Sequence, residues 1–315
     1  MPALVTHRLF GEESIDRLPA GVISSEEERI AFLLANQGPD PFFFRVRSLH
    51  MSQAMELARR MHRSRMSKQF GALRDGVSHL PKADAGLGRA FVLGLLSHYV
   101  LDRNAHPFVY WQQWGIMDAD PSLEGAGGRV HAVIESDLDV LMLQLKRDGA
   151  TVDEFPPVSE LVTTDRVNKV AGALASFVAS SVYGLDVAVA EYGGAVADMQ
   201  LCYRAIEPAG SPSSRLLGAI EGAVADYSLL TSLAHRVTRE RPVAAGNMGN
   251  KPWEHPFTQE VSRESFPEIF DRALDDYATT AARFIETNDM AQVTGHVNYS
   301  GRLLGEDEEF DREED

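Results

Sequence analysis

One stretch of this sequence restricts the possible folds more than any other. Residues 87–105, LGRAFVLGLLSHYVLDRNA, are apolar nearly all the way round a helical wheel. That pattern is typical of a helix buried at the centre of a helical protein. Within it His98 and Asp102 are four residues apart, and His106 follows four residues later. Metal-capable side chains are unusual on so hydrophobic a segment, so their presence needs an explanation.

Helical patterns also account for most of the remaining chain. Apolar residues recur at helical spacing, and capping residues such as Ser24 or Ser25 and Ser265 precede them. The predicted helices cover residues 24–38, 52–73, 129–149, 165–184, 213–241 and 265–287. No stretch shows sustained strand alternation with hairpin turns. We therefore predict an all-α fold, in a single multi-helix domain over residues 1–304.

The composition is that of a globular protein without a membrane span. The 315 residues are 44% hydrophobic, which is enough for a substantial core. No apolar run reaches the ~18–20 residues that cross a bilayer, and the N-terminus lacks a secretory signal pattern. The single cysteine, Cys202, excludes an internal disulfide framework and a cysteine-rich zinc site. We expect a cytoplasmic protein with no membrane insertion, and the composition leaves its oligomeric state open.

The charge of the chain excludes another class of partner. A net charge of −16 repels nucleic-acid backbones, so we expect no binding to a nucleic-acid polymer. Much of the acidic excess lies in residues 305–315, GEDEEFDREED, which we predict to be a disordered acidic tail.

The spacing of His98 and Asp102 suits a metal site. Residues four apart share one face of a helix. An imidazole and a carboxylate can therefore hold the same ion there, and Asp102 can bridge two ions. A buried hydrogen-bonded pair without metal is the alternative. Because Pro107 disfavours helix at the residue before it, we predict that the helix ends near Ala105 and that His106 turns back toward the site.

A second pair of the same kind occurs in HAVIESDLD, where His131 and Glu135 are four residues apart. Two unrelated buried ion pairs would each carry a desolvation cost, whereas one shared metal cluster explains both. Asp139 continues the same helix face. It is either the hydrogen-bond partner of a ligand histidine or an exposed helix acid.

Three further residues complete the candidate set. His7 lies among apolar residues near the N-terminus, His62 lies on an amphipathic helix, and Asp40 lies between two prolines that fix the local backbone. Taken singly, each also has an ordinary explanation as a surface, helix or turn residue. Together, the five histidines and three carboxylates suffice for two or three zinc ions in nitrogen and oxygen coordination.

Five segments, in chain order, resemble the zinc-dependent phospholipase C family, which shares its all-helical fold with S1/P1-type nucleases. These segments are THRLFGEE, GPDPFFF, RMHRSR, GLLSHYVLDRNAHPFVYW and HAVIESDLD. The resemblance covers residues 1–145 well and continues more loosely into residues 250–274. Each segment alone is a weak signal, but their order makes the set fairly specific.

The resemblance implies two ligand triads, each built from two histidines and one carboxylate. One zinc ion would be held by His62, His98 and Asp102. A second would be held by His106, His131 and Glu135.

The resemblance further implies a third zinc site and a catalytic acid. His7 would contribute to the third ion, with Asp102 as the bridge. Asp40 matches the acid that orients or deprotonates the attacking water. In secreted members an N-terminal tryptophan completes the third site, whereas this chain begins Met-Pro-Ala. Those members also space the equivalents of Asp102 and His106 further apart.

The resemblance implies a zinc-dependent phosphoesterase in which a metal-activated water hydrolyses a phosphodiester or a phosphomonoester. The expected substrate is a small phosphoester or a lipid head group, and Arg45, Arg63 or Arg65 are candidates to hold its phosphate. One alternative is a non-catalytic metal- or ligand-binding helical protein with a retained but incomplete cluster. The other is an interaction protein whose histidines are satisfied in the core.

Overall fold

α-Helices make up nearly all the regular structure. The structure is a computed structural model, and it describes residues 3–221 and 230–309. Its helices are α1 (Leu4–Ile15), α2 (Glu26–Ala35), α3 (Met51–Arg63), α4 (Met66–His79), α5 (Ala85–Ala119), α6 (Gly127–Lys146), α7 (Asp165–Tyr183), α8 (Ala190–Ile206), α9 (Pro212–Glu221), α10 (Phe266–Glu286) and α11 (Met290–Thr294). The predicted all-α fold is confirmed. None of the described helices is long and apolar enough to span a membrane.

The remaining regular elements are short. Single 3-10 turns lie at Asp40–Phe44, Pro121–Leu123, Pro157–Glu160 and Leu230–Leu233. Two strands of two residues each, β1 (Trp253–Glu254) and β2 (Val261–Ser262), pair antiparallel with Trp253 opposite Ser262. They close a loop and form no extended sheet.

Local sequence signals set the starts of two helices as predicted. At α2 the Ser25 side chain accepts a hydrogen bond from the Glu28 amide. At α10 the Glu268 carboxylate accepts hydrogen bonds from the Ser265 amide and hydroxyl. These contacts satisfy polar groups that have no partner inside the first turn of a helix.

The prediction of one helix over residues 52–73 is wrong, because the chain breaks between α3 and α4. Arg65 has a left-handed backbone with a φ of 61°. Its amide donates to the Glu308 carbonyl (2.9 Å), and its side chain donates to the Val182 carbonyl (2.6 Å). An arginine does not favour this conformation by itself, so distant parts of the chain decide the break.

The start of the acidic C-terminal segment is packed. Glu308 is 2% exposed. Its carboxylate accepts hydrogen bonds from the Ser67 amide and hydroxyl, and lies 3.1 Å from His296 Nδ1. The predicted disorder over residues 305–315 therefore does not hold at residue 308, where these contacts replace solvent. The residues from 310 onward lie outside the described part of the chain.

Residues 213–241 differ from the predicted single helix. Helix α9 ends at Glu221, residues 230–233 form a 3-10 turn, and residues 234–241 are not helical. Residues 222–229 lie outside the described residues. Helices α1, α8 and α11 were not predicted at all. Helix α8 contains two consecutive glycines, which are poor helix formers, so its sequence gives a weak signal.

Helix α5 runs for 35 residues through Pro107, so the prediction that it ends near Ala105 is wrong. A proline inside a helix costs about 3 kcal/mol, because it removes one backbone hydrogen bond and crowds the preceding turn. Leu101 and Phe108, on either side, are buried. Burying each such side chain contributes roughly 1.5–3 kcal/mol, which outweighs that cost over several residues. His106 therefore stays helical and does not turn back.

The chain forms two compact units, and each unit draws on three separate stretches of sequence. The first unit comprises Met1–Leu9, Ala105–Leu161 and Gln200–Arg272. The second comprises Phe10–Asn104, Val162–Met199 and Ala273–Asp315. Helices α1, α5, α8 and α10 each contribute residues to both units. The chain is therefore not divided into consecutive domains.

In the second unit, α5 packs directly against the backbone of α2 at Gly94. A Cβ at this position would lie 2.1 Å from the Phe32 carbonyl oxygen, which is too close for any side chain. Next to this contact, Asn36 Nδ2 donates to Ser97 Oγ (2.7 Å), and Ser97 Oγ donates to Ser14 Oγ (3.0 Å). These contacts fix the end of α2 against α5.

Gly94→Ala is expected to lower the free energy of unfolding by about 1–3 kcal/mol, because two helix backbones must separate. Gly115→Ala is the matched control in the same helix, since a Cβ there meets nothing within 4 Å. It should be neutral or stabilise by up to about 1 kcal/mol. Urea denaturation of both variants measures the difference, and equal stabilities would contradict the close approach.

Candidate metal centre

The second unit brings four of the predicted site residues together. Asp40 begins a 3-10 turn, His62 lies near the end of α3, and His98 and Asp102 lie on α5. His62 Nε2 is 3.1 Å from Asp40 Oδ1 and 4.0 Å from Asp102 Oδ2. His98 Nε2 is 3.3 Å from Asp102 Oδ2. We call these four residues the second-unit cluster, and none of their side chains is more than 14% exposed.

Backbone carbonyls fix the orientation of both imidazoles in this cluster. His62 Nδ1 donates to the Ala58 carbonyl oxygen, one turn earlier on α3 (2.8 Å). His98 Nδ1 donates to the Asn36 carbonyl oxygen at the end of α2 (3.1 Å). A carbonyl oxygen can only accept, so Nδ1 must carry the proton. A neutral ring held in this way presents its Nε2 lone pair to the carboxylates, as ligand histidines do.

The atoms of His62 and Asp40 that face each other need a positive charge, either on the imidazole ring or between the two side chains. His62 Nε2 and Asp40 Oδ1 are 3.1 Å apart, yet neither makes a hydrogen bond to a described residue. Two acceptors at this distance repel unless the ring is protonated or a metal ion lies between them. Two ligand atoms about 2.0–2.1 Å from a tetrahedral zinc ion are roughly 3.3 Å apart, which matches this spacing. The second-unit cluster can therefore hold a metal ion.

The first unit contains a second cluster of the same kind. His106 lies on α5, and His131 and Glu135 are one turn apart on α6. Glu135 Oε1 is 3.2 Å from His131 Nε2 and 3.6 Å from His106 Nε2. Gln113 Oε1, 2.8 Å from His131 Nδ1, orients that ring from the outside. We call His106, His131 and Glu135 the first-unit cluster, and it can also hold a metal ion.

Burial and charge set the protonation of these groups. Burial lowers the pKa of His131 below its ordinary value. Burial opposes ionisation of Glu135 and Asp40, yet the pKa of each carboxyl lies below its usual range, and the neighbouring imidazoles contribute to that lowering. Neutral imidazoles and ionised carboxylates are the states that bind zinc.

Helix α1, which carries His7, takes its N-terminal cap from a distant residue. The Asp139 carboxylate on α6 accepts hydrogen bonds from the Val5 amide (2.9 Å) and the Thr6 amide (2.7 Å). A carboxylate at a helix N-terminus satisfies open N–H groups and interacts favourably with the helix dipole. His7 itself is buried in the first unit. Its participation in a third site with Asp102 stays a prediction.

Asp139 also belongs to a buried ion pair that sequence reasoning missed. His235 Nε2 donates to Asp139 Oδ2 (2.9 Å), and His235 Nδ1 donates to the Glu207 carboxylate. Burial alone would lower the pKa of His235, but the two carboxylates raise it to about 10. Asp139 is thus fully buried and not an exposed helix acid. Its histidine partner is His235 and not one of the proposed ligands.

Two of the three arginines proposed to hold a phosphate are engaged elsewhere. Arg45 pairs with Glu191 (2.8 Å) and Asp198 (2.7 Å), which lie on α8. Arg65 pairs with Glu309 (2.6 Å) at the C-terminal end of the described chain. Both guanidinium groups therefore have structural partners.

The residues that orient the imidazoles were also missed, for two different reasons. Gln113 follows His106 by seven residues, so it shares that face of α5, and a helix extended through Pro107 would have revealed it. Asn36 acts through its backbone carbonyl, and no side-chain pattern can reveal that contact.

No family model, curated protein or solved structure matches this chain. The geometry of the two clusters and the five sequence segments are therefore the observations that bear on function.

Gly38 packs against His98, and Gly38→Ala is expected to weaken zinc binding about 10–100-fold by displacing the ring. A Cβ at Gly38 would lie 2.2 Å from His98 Cδ2, and its φ is +57°. Zinc affinity is measured by competition with a chromophoric chelator. Gly184→Ala, with a φ of +64° and nothing within 4 Å, is the control for backbone strain alone. Equal zinc affinity in the two variants would refute this packing role.

His235→Gln is expected to destabilise the protein by about 3–5 kcal/mol, because Asp139 and Glu207 lose the cation between them. The pKa of His235 is about 10 in the folded protein against an ordinary 6.5. Its stabilising contribution is therefore complete below about pH 6.5 and is lost as the pH rises toward 10. Denaturation of wild type and variant between pH 6 and about 10 should show a shrinking difference. The exposed His79→Gln is the control, and a difference independent of pH would contradict the assignment.

Proposed function

We propose that this protein is a zinc-dependent phosphoesterase that hydrolyses a phosphodiester or a phosphomonoester, in the manner of the zinc-dependent phospholipase C family. One observation carries the proposal: both clusters set imidazole Nε2 atoms against carboxylate oxygens at 3.1–3.6 Å. The resemblance supplies the reaction class, since its five segments contain all of the proposed site residues.

Zinc suits the donor atoms of both clusters. Each combines two imidazole nitrogens with carboxylate oxygens, a set that zinc binds without any thiolate. Catalytic zinc sites use three protein ligands and keep a further position for water or substrate. Bound there, zinc would polarise a phosphoryl oxygen and lower the pKa of a water molecule.

Asp40 is the residue proposed to act on the attacking water. Its lowered pKa keeps the carboxylate ionised near neutral pH, so it can orient a water molecule and accept its proton. The ion pairs of Arg45 with Glu191 and Asp198 hold the end of the 3-10 turn that Asp40 begins. Asp40 Oδ1 also lies at ligand spacing from His62 Nε2, so the same carboxylate can bind the ion instead.

The proposed substrate is a small phosphoester or a lipid head group. The net charge of −16 disfavours approach to nucleic-acid polymers and to anionic membrane surfaces. We also propose that the protein is located in the cytoplasm.

A non-catalytic metal-binding protein is the second candidate, and the depth of the clusters favours it. His98 is 0% exposed and Asp40 is 1% exposed. Closed, fully liganded sites are typical of structural metals, whereas catalytic sites stay open to substrate. In that case zinc stabilises the fold and no ester is hydrolysed.

The decisive experiment measures zinc content and ester hydrolysis on the same preparation. We expect stoichiometric zinc by elemental analysis, and chelator-sensitive hydrolysis within a panel of small phosphomonoesters and phosphodiesters. Asp40→Asn is expected to lower kcat by about 10²–10⁴-fold with zinc content unchanged.

Asp186→Asn removes an exposed carboxylate from the same unit and should retain full activity. Loss of zinc from Asp40→Asn would identify Asp40 as a ligand and not as the water-orienting acid. A zinc-loaded wild type that hydrolyses neither ester class would support the non-catalytic candidate. A folded protein without stoichiometric zinc would exclude both.

A further inference from the structure

A separate cavity of about 390 Å³ lies in the second unit, between α4, the start of α5 and the end of α10. Its inner wall is apolar and includes Val92, Leu93 and Phe284, each less than 10% exposed. None of the proposed metal ligands lines it. Its volume falls toward the lower end of small-molecule sites, which suits a ligand with one short apolar body.

Three cations line this cavity, and none of the other described residues that line it is a carboxylate. They are Arg74, Lys82 and Arg89. The concentration is notable in a chain with 46 acidic and 30 basic residues. Lining residues of one sign in a low-dielectric cleft attract a ligand of the opposite sign.

The contacts of Arg74 hold its guanidinium group at the wall of the cavity. Its guanidinium carbon lies 4.5 Å from the centre of the Phe284 ring. Burial lowers its pKa, and no described carboxylate pairs with it. One nitrogen, Nη1, donates to the Thr287 carbonyl and to Asn288 Oδ1, just beyond α10.

Capping the end of α10 explains part of the role of Arg74 but leaves the other two cations unexplained. Lys82 is exposed and pairs with no described carboxylate. Arg89 has an acidic neighbour in Glu28, since a Cβ at Gly86 would lie 2.3 Å from Glu28 Oε1 and 3.7 Å from Arg89 Nη2. Glu28 is itself hydrogen-bonded by the Ser24 amide and hydroxyl, and it forms no ion pair with Arg89 among the described contacts. An anion in the cavity would be shared by all three cations.

We propose that this cavity binds a monomeric amphipathic anion, a single short hydrocarbon chain that ends in a carboxylate. The apolar wall would take the chain, and the three cations would take the carboxylate. A carboxylate is favoured over a phosphate monoester, since desolvating a dianion beside an apolar wall costs more. A two-chain membrane lipid is disfavoured, because the cavity is small and the acidic protein is repelled by anionic bilayers. This proposal is independent of the proposed phosphoesterase activity.

Isothermal titration of the full chain with decanoate, at concentrations where it is monomeric, tests the proposal. We expect saturable binding of one decanoate per chain. The double variant Lys82→Gln/Arg89→Gln should weaken it about tenfold, since both charges face the same carboxylate. Ser78→Trp, at an exposed residue of the cavity rim, should abolish binding by filling the space. Arg74 is left unchanged because it also caps α10.

Lys169→Gln, which removes an exposed charge from α7 outside the cavity, should bind decanoate as wild type does. Circular dichroism establishes that each variant is folded. Decanol that binds as tightly as decanoate would show an apolar groove without anion recognition. Decyl phosphate that binds more tightly would assign the site to phosphate monoesters. Either result overturns the proposal, as does decanoate binding that survives both variants.

Discussion

The hydrogen bond from an imidazole Nδ1 to a fixed protein oxygen is the interaction on which both metal clusters depend. It determines which nitrogen carries the proton, and it turns the Nε2 lone pair toward the carboxylates. His62 and His98 obtain this bond from backbone carbonyls, and His131 obtains it from Gln113. The elements that supply these oxygens must therefore approach the rings to hydrogen-bond distance. The absence of a side chain at two glycines of the second unit permits that approach.

His235 shows what the same residue types do when both ring nitrogens donate to carboxylates. Both of its ring nitrogens face carboxylates, so the ring is held as a cation and has no lone pair to offer a metal. The Asp139–His235–Glu207 group thus contains its own cation, and its remaining negative charge lies at the first turn of α1, where Asp139 accepts hydrogen bonds from two backbone amides. In the two clusters, a bound metal ion would supply the positive charge that the His235 ring provides here.

Two arginines in the second unit show the same contrast between a charge that is paired with carboxylates and one that is not. Arg45 is paired with two carboxylates and stabilises the segment after Asp40. Arg74 stacks on Phe284 beside an apolar cavity and has no carboxylate partner among the described residues. A half-buried cation without a carboxylate partner, in an acidic chain, offers a place for an external anion. The distinction depends on burial and partners, because the residue type is the same in both cases.

The sequence by itself determined the helical class, the capped starts of α2 and α10, and the residues able to bind metal. Apolar periodicity, capping pairs and four-residue spacing act over one or two helical turns, so they can be read locally. The break at Arg65, the passage of α5 through Pro107, the packing of Glu308 and the partners of Asp139 were decided by the tertiary structure. Each of these features depends on contacts between residues far apart in the chain. The free energy of those contacts exceeds the local conformational preference that they override. The orientations of His98 and His131 belong to the same group, because oxygens on other helices set them, whereas His62 is oriented within its own helix.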